Sequence, residues 1–285
     1  MVRVQADEAS PAGALEANVT NPSDGENAEV LVALSEAGVA TVTLNRPTRR
    51  NALSPGLLMA LRARLAELKA DERARVVVLT GSGTQSFCSG GDLAGGMTGG
   101  GFLASVVEKG GFAHVVRDLH ELGKPVVAAL NGDAMGGGVG LFLACDLVIA
   151  HDEVKIGLPE VKVGLWPMMV TALLVRHVGR KVAAELMYLG ERLPADEARR
   201  LGLVNRVVPR ETFADETRAL AETLASRSPA VLRLGKEAFH GTADLPFDAA
   251  LWALRDRLVI NTMLEDAAEG VMAFLEKRPP RWKGR

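Results

Sequence analysis

The stretches Phe87-Cys88-Ser89-Gly90-Gly91-Asp92-Leu93 and Ala134-Met135-Gly136-Gly137-Gly138-Val139-Gly140 govern the reading of this chain, because each glycine-rich turn trails a short apolar run. The runs are Val76-Val77-Val78-Leu79-Thr80 and Val126-Val127-Ala128-Ala129-Leu130, whose shortness and β-branching suit buried strands. Each strand is expected to deliver a glycine loop at its carboxyl end. The second loop opens into Leu141-Phe142-Leu143-Ala144, which sets its free N–H groups at a helix N-terminus, where negative charge is favoured. A lone Gly-Gly-Gly is best read as a tight turn. Two glycine loops at two strand ends read instead as an oxyanion hole.

Working outward, Glu29 to Leu34 and Val39 to Leu44 form an expected hairpin about a Glu36-Ala37-Gly38 turn. Ser54-Pro55 is an N-cap followed by proline at the first helical position. Leu57, Leu58, Leu61, Leu65 and Leu68 then recur at helical spacing. Strand, helix, strand implies a right-handed crossover in a parallel sheet, hence an α/β fold with its site near strand carboxyl ends. The glycines between 94 and 112 predict a flexible segment ahead of a helix through Val115, Val116, Leu119 and Leu122. Beyond Ile156 helices are expected, including Lys181 to Leu189 and one starting at Pro194, interrupted by a strand at Leu203 to Val208. From Glu211 to Glu276 long helices suit a packing or oligomerising layer. The expected organisation is a mobile tail over 1–28, a core over 29–210 and a helical region over 211–285.

The chain has 285 residues, 48% of them hydrophobic, enough to bury a substantial core in one main domain. Its 33 Lys and Arg balance 35 Asp and Glu, so the totals recommend neither nucleic acid nor an anionic membrane as partner. The two cysteines, Cys88 and Cys145, are too few for a disulfide framework, and a reducing, cytoplasmic compartment is expected. Residues 1 to 28 carry Asp7, Glu8, Glu16, Asp24 and Glu26 and lack the pattern of a targeting peptide. The five histidines stand singly, which supports no metal site, and no spacing pairs Cys88 with His114, His120, His151, His177 or His240 as a nucleophile and base. Trp166, Phe247, Trp252 and Trp282 are expected to pack or to wall an acyl pocket.

A third element, Ile156-Gly157-Leu158-Pro159-Glu160-Val161-Lys162-Val163-Gly164-Leu165-Trp166-Pro167, sets a carboxylate among apolar neighbours. Burial there raises its pKa, which suits a group moving protons at carbon beside a carbonyl held in an oxyanion hole. Glu160 paired as a structural anion with Lys162 or Arg180 is the competing reading. Asp92 and Asp146 are the neighbouring carboxylates, with turn and strand-end hydrogen bonding as their expected duties.

Together with Leu44-Asn45-Arg46-Pro47, Asn51-Ala52-Leu53, Gly190-Glu191-Arg192-Leu193 and the closing Phe274 to Pro279, these elements resemble the crotonase, or enoyl-CoA hydratase/isomerase, superfamily over residues 30 to 285. The resemblance implies a spiral of ββα units with a C-terminal helical trimerisation region. It also implies an acyl-CoA thioester substrate, with coenzyme A part of that substrate and no separate cofactor, and a homotrimer or dimer of trimers. Its thioester-binding amides fall on Gly91 and Gly137, and its pantetheine-contacting segment on Gly91, Asp92 and Leu93. Arg49 and Arg50 fall where phosphate contacts are plausible, and Gly140 and Trp166 join the substrate-binding set. Family hydratases carry a water-activating glutamate at the position of Gly140, whereas their second glutamate matches Glu160. Dienoyl-CoA isomerases would need a carboxylate at Met168. The single glutamate implies Δ3,Δ2-enoyl-CoA isomerisation. The alternatives are a hydratase or decarboxylase with a non-standard arrangement, and a non-catalytic acyl-CoA-binding protein.

Overall fold

A computed structural model describes residues 28–92 and 102–285. Residues 1–27 of the tail expected over 1–28, Leu93 and most of the glycine-rich stretch lie outside the described residues. The hairpin forms as expected: β1 (Val30–Leu34) pairs antiparallel with β2 (Val39–Leu44). Ser54 Oγ accepts the Leu57 amide at 3.0 Å and so caps α1 (Pro55–Ala70), whose five buried leucines are those of the sequence pattern. The chain then crosses to β3 (Val76–Gly81), parallel to β2. Joined by β5 (Val126–Leu130), β7 (Leu147–His151) and β10 (Arg206–Val208), these strands make a six-stranded sheet in the order β1-β2-β3-β5-β7-β10, parallel beyond the first pair.

Alternating side chains bury both faces of this sheet. Val77, Leu79, Val126, Ala128 and Leu130 join the main core with the α1 leucines. Val76, Val78, Val127, Ala129 and Ile149 meet Phe213, Leu220, Ala221 and Ala225 of α7 (Phe213–Ala225) on the other face. Coverage on both faces explains why these strands read as continuous apolar runs rather than as alternating ones.

A second, four-stranded sheet corrects the expectation that β3 and β5 carry the glycine loops directly. Its order is β4 (Ser86–Cys88), β6 (Asp133–Met135), β8 (Lys155–Gly157) and β9 (Arg192–Pro194). Each glycine loop leaves the carboxyl end of one of these three-residue strands. Asn131, just after β5, ties that strand's end to the end of β3, its Nδ2 donating to the Gly81 carbonyl at 2.7 Å and its Oδ1 accepting the Gly81 amide at 3.0 Å.

The second correction concerns α2 (Phe102–His120), which includes Gly110 and Gly111 where a flexible segment was expected. Glycine in a helix interior costs roughly 1 kcal/mol against alanine. Burial of Phe112, Val115 and Leu119 against the main core offsets that cost. The remaining elements are α3 (Gly137–Leu143), α4 (Met168–His177), α5 (Arg180–Leu189), α6 (Ala195–Arg200), α8 (Pro229–Thr242), α9 (Phe247–Thr262) and α10 (Glu265–Leu275). Among the described residues no helix is long and apolar enough to cross a membrane.

Candidate active site

The two glycine loops meet. A Cβ built on Gly90 would lie 3.1 Å from the Gly137 amide nitrogen, and one on Gly137 would lie 3.7 Å from that of Gly91. Leu53 fixes the first loop in a parallel bridge: its amide donates to the Gly90 carbonyl at 2.8 Å and its carbonyl accepts the Asp92 amide at 3.1 Å. Those bonds flank Gly91 and leave its own N–H turned away from the bridge. Gly136, at φ 54° and ψ −121°, precedes the first turn of α3, so the Gly137 N–H has no intrahelical acceptor. Among the described residues neither the Gly91 nor the Gly137 amide donates within the chain. Two such donors converging at a helix start can receive one anionic oxygen.

Glu160 faces this junction. It sits in a single 3-10 turn, Pro159–Val163, and a Cβ on Gly136 would lie 2.7 Å from its Oε1. Its Oε2 is buried without a hydrogen-bond partner among the described residues. Burial pushes the carboxyl above its ordinary range. The ion-pair reading does not hold, since Lys162 Nζ binds Glu191 Oε1 at 2.8 Å instead.

The surrounding cleft, about 600 Å³, is lined by Gly91, Gly137 and Glu160 together with Leu53, Leu58, Phe112, Trp166, Met168 and Val170 among others. Trp166 donates its Nε1–H to Thr171 Oγ1 at 3.2 Å and packs edge-on against Tyr188 with ring centroids 5.0 Å apart. Asp92 reaches the cleft, but its carboxylate is tied to Arg46 Nη2 at 2.8 Å. Arg46 also holds the Ala52 carbonyl at 2.6 Å and Glu29 at 2.9 Å, which clamps the chain on either side of the Leu53 bridge. Arg49 and Arg50 are exposed and stand outside the cleft lining, though the Arg50 carbonyl accepts the Ser89 amide at 3.0 Å beside the first glycine loop.

Gly140 lines no part of the cleft. A Cβ there would lie 2.8 Å from Phe112 Cζ and 2.9 Å from Val170 Cγ2, so two apolar side chains already fill the space a side chain at 140 would need. Phe112 and Val170 escaped the sequence reading, and Leu53 and Gly136 entered it only as parts of motifs, without roles of their own. The one signal for Gly136 was the run of three glycines, of which only the middle one was assigned a role.

The other candidates settle into structural duties. Asp146 accepts the Val126 amide at 2.7 Å, Lys236 Nζ at 2.7 Å and a contact from His240 Nε2 at 3.1 Å, which anchors α8 to the strand ends. Burial alone would raise its carboxyl, but His240 and Lys236 outweigh it and hold it below the ordinary range. Cys88 is buried and its thiol is pushed up to about 12, which leaves it without nucleophilic character at neutral pH.

Comparison with known proteins decides the affiliation. The family described as Enoyl-CoA hydratase/isomerase matches residues 35–285. The chain belongs to the enoyl-CoA hydratase/isomerase family. A Thermus thermophilus relative, provisionally named an enoyl-CoA hydratase, is 42% identical over 263 residues, covering 88% of this chain and 100% of its own. The 2,3-dehydroadipyl-CoA hydratase of Escherichia coli is 34% identical over 90% of this chain and 99% of its own. The crystal structure of an enoyl-CoA hydratase from Mycobacterium smegmatis superposes with a TM-score of 0.86 at 35% identity, over 89% of this chain and 98% of that one. These enoyl-CoA hydratase/isomerase relatives confirm the crotonase fold, and an acyl-CoA thioester substrate is consistent with the family. They are named for hydration.

Proposed function

We propose that this enzyme is a Δ3,Δ2-enoyl-CoA isomerase. The observation that carries the reading is the pairing of Glu160, whose Oε2 is buried without a hydrogen-bond partner among the described residues, with a closed position at Gly140. The thioester oxygen of a 3-enoyl-CoA accepts hydrogen bonds from the Gly91 and Gly137 amides. Glu160, ionised, removes a proton from C2, and the electron pair spreads over a dienolate whose charge rests largely on that oxygen. The Glu160 carboxylic acid then returns the proton to C4, and the double bond ends between C2 and C3. No water enters the product, so no second carboxylate is required. Phe112 and Val170 exclude water where a hydratase would bind it.

The names of the relatives favour a second reading, water addition to a 2-enoyl-CoA with Glu160 as the sole acid and base. Separate incubation with a 3-enoyl-CoA and a 2-enoyl-CoA distinguishes them by product mass. Conversion of the first at unchanged mass is the expected result, and gain of one water by the second would replace it with hydration. Glu160→Gln should lower turnover by about 10² to 10⁴-fold with acyl-CoA binding largely retained. We place the Gly91-Asp92 segment beside the pantetheine arm and Arg49 and Arg50 near the coenzyme A phosphates, and Leu93 of the same segment lies outside the described residues. The exposed apolar faces of α9 and α10 support assembly as a homotrimer or dimer of trimers.

A further inference from the structure

We propose that Lys109 selects the acyl group, favouring acyl-CoA thioesters whose chain ends in a second carboxylate. The proposal rests on the acyl-CoA reading of the cleft and deepens it. Among the described residues three charged side chains line the cleft: Asp92, Lys109 and Glu160. Asp92 is neutralised by Arg46 at 2.8 Å, and Glu160 lies against Gly136 where the reacting carbons must sit. Lys109 makes no ion pair among the described residues, and the rest of the described cleft lining is largely apolar, including Leu58, Phe112, Met169 and Val170.

Its position places it along the acyl chain. Lys109 and Phe112 are i and i+3 on α2, so they share a face and are separated by roughly 4.5 Å along the helix axis. Phe112 in turn packs on Gly140, one turn into the helix that begins with Gly137. Lys109 therefore stands about one helical turn beyond the group that closes the site next to the oxyanion donors. The phosphates of coenzyme A have other candidates in Arg49 and Arg50, which do not line the cleft. A methyl-terminated chain passing Lys109 offers its ammonium nothing, whereas a carboxylate forms a charge-assisted hydrogen bond with it.

The test is equilibrium binding of two saturated thioesters, adipoyl-CoA and hexanoyl-CoA, which differ at the chain end and require no turnover. The wild-type protein should bind adipoyl-CoA more tightly by roughly tenfold or more, the scale of one hydrogen bond to a charged group. Lys109→Ala should remove most of that preference, Lys109→Arg should keep it and Lys109→Glu should reverse it. Lys109 is exposed on its helix, so these variants fold. Equal weakening of both thioesters in Lys109→Ala would show that the lysine reads the coenzyme A phosphates and would overturn the proposal, as would no change in either. Loss of all thioester binding by the wild-type protein would overturn both this proposal and the acyl-CoA reading beneath it. A binding preference without any isomerase turnover would remove only the reaction assigned above.

Discussion

At the scale of single residues, the chemistry turns on an anion kept short of partners. Glu160 has one oxygen against Gly136 and the other buried and unbonded among the described residues, so burial disfavours ionisation and the hydrogen bond from its own backbone offsets only part of that cost. A base so placed is stronger than an ordinary glutamate, and its working form appears only above its raised pKa. The kcat/KM for isomerisation should therefore rise with pH, with a midpoint above the ordinary 4.5 of glutamate, and Glu160→Gln should abolish the rise together with the activity. Linkage gives the stability side. A carboxyl whose folded pKa is raised stabilises the fold below its unfolded pKa, and that contribution is lost as pH rises through the folded value. Glu160→Gln should accordingly melt higher than the parent near neutral pH by roughly 1–3 °C, with the difference shrinking toward pH 4. A lower melting temperature at neutral pH would mean that an unseen partner holds the charge. Gly136 is the counterpart. At φ 54° and with a Cβ destined to lie 2.7 Å from Glu160 Oε1, it cannot gain a side chain without displacing the carboxylate. Gly136→Ala should cost about a hundredfold in kcat, the scale of a catalytic group misplaced by about 1 Å. Activity retained within a few-fold would detach Glu160 from the reaction.

At the scale of elements, α2, α3 and α4 form one packed unit whose contacts decide what position 140 can hold. Phe112 from α2 and Val170 from α4 meet over Gly140 of α3. Gly140→Glu, the change that restores the hydratase pattern on paper, should by itself destabilise the protein by about 1–3 kcal/mol through overpacking and confer no hydration. Phe112→Ala removes the nearest obstructing atom but also a buried core side chain, so the double variant should lose less stability than the sum of the two single variants, and denaturant midpoints of all three measure that coupling. Hydration by Gly140→Glu alone would show that the helices part easily and that the plug is not what limits the chemistry. Much of this arrangement was legible in the sequence. Ser54-Pro55 and the leucine spacing fixed α1 because a cap and a 3.6-residue period are local signals, and the apolar neighbours of Glu160 in the sequence pointed to the burial that raises its pKa. The strands that carry the site were not legible. β4 and β6 have three residues each and pair only with one another and with β8, so no window of sequence holds their pattern. Gly110 and Gly111 masked the middle of α2 because tertiary burial of Phe112 overrides local propensity, which also hid the plug.

At the scale of the whole molecule, the apolar surface is unevenly distributed. The sheet is covered on both faces, whereas α9 has no buried residue and presents Phe247, Trp252 and Leu258 to the outside at 76%, 62% and 60% exposure. Met263 beyond it and Phe274 on α10 are 80% and 82% exposed. Asp146 holds α8 to the strand ends through Lys236 and His240, and α8 carries α9, so this face stands on a fixed platform rather than on a loose terminus. Exposed apolar side chains in this number cost solubility in a monomer and are relieved by burial against further copies. Light scattering coupled to size exclusion should give three or six times the chain mass. Phe247→Asp combined with Phe274→Asp should shift the protein toward single chains, since each charge would have to be buried unpaired in the assembly. Both side chains lie outside the monomer's core, so circular dichroism and the melting of the dissociated chain should change little. A wild-type protein that scatters as a monomer would leave this face without a partner of its own kind. Retention of isomerase activity by the dissociated variant would further place every catalytic group within one chain, as expected when Gly91, Gly137 and Glu160 line a single cleft of one protomer.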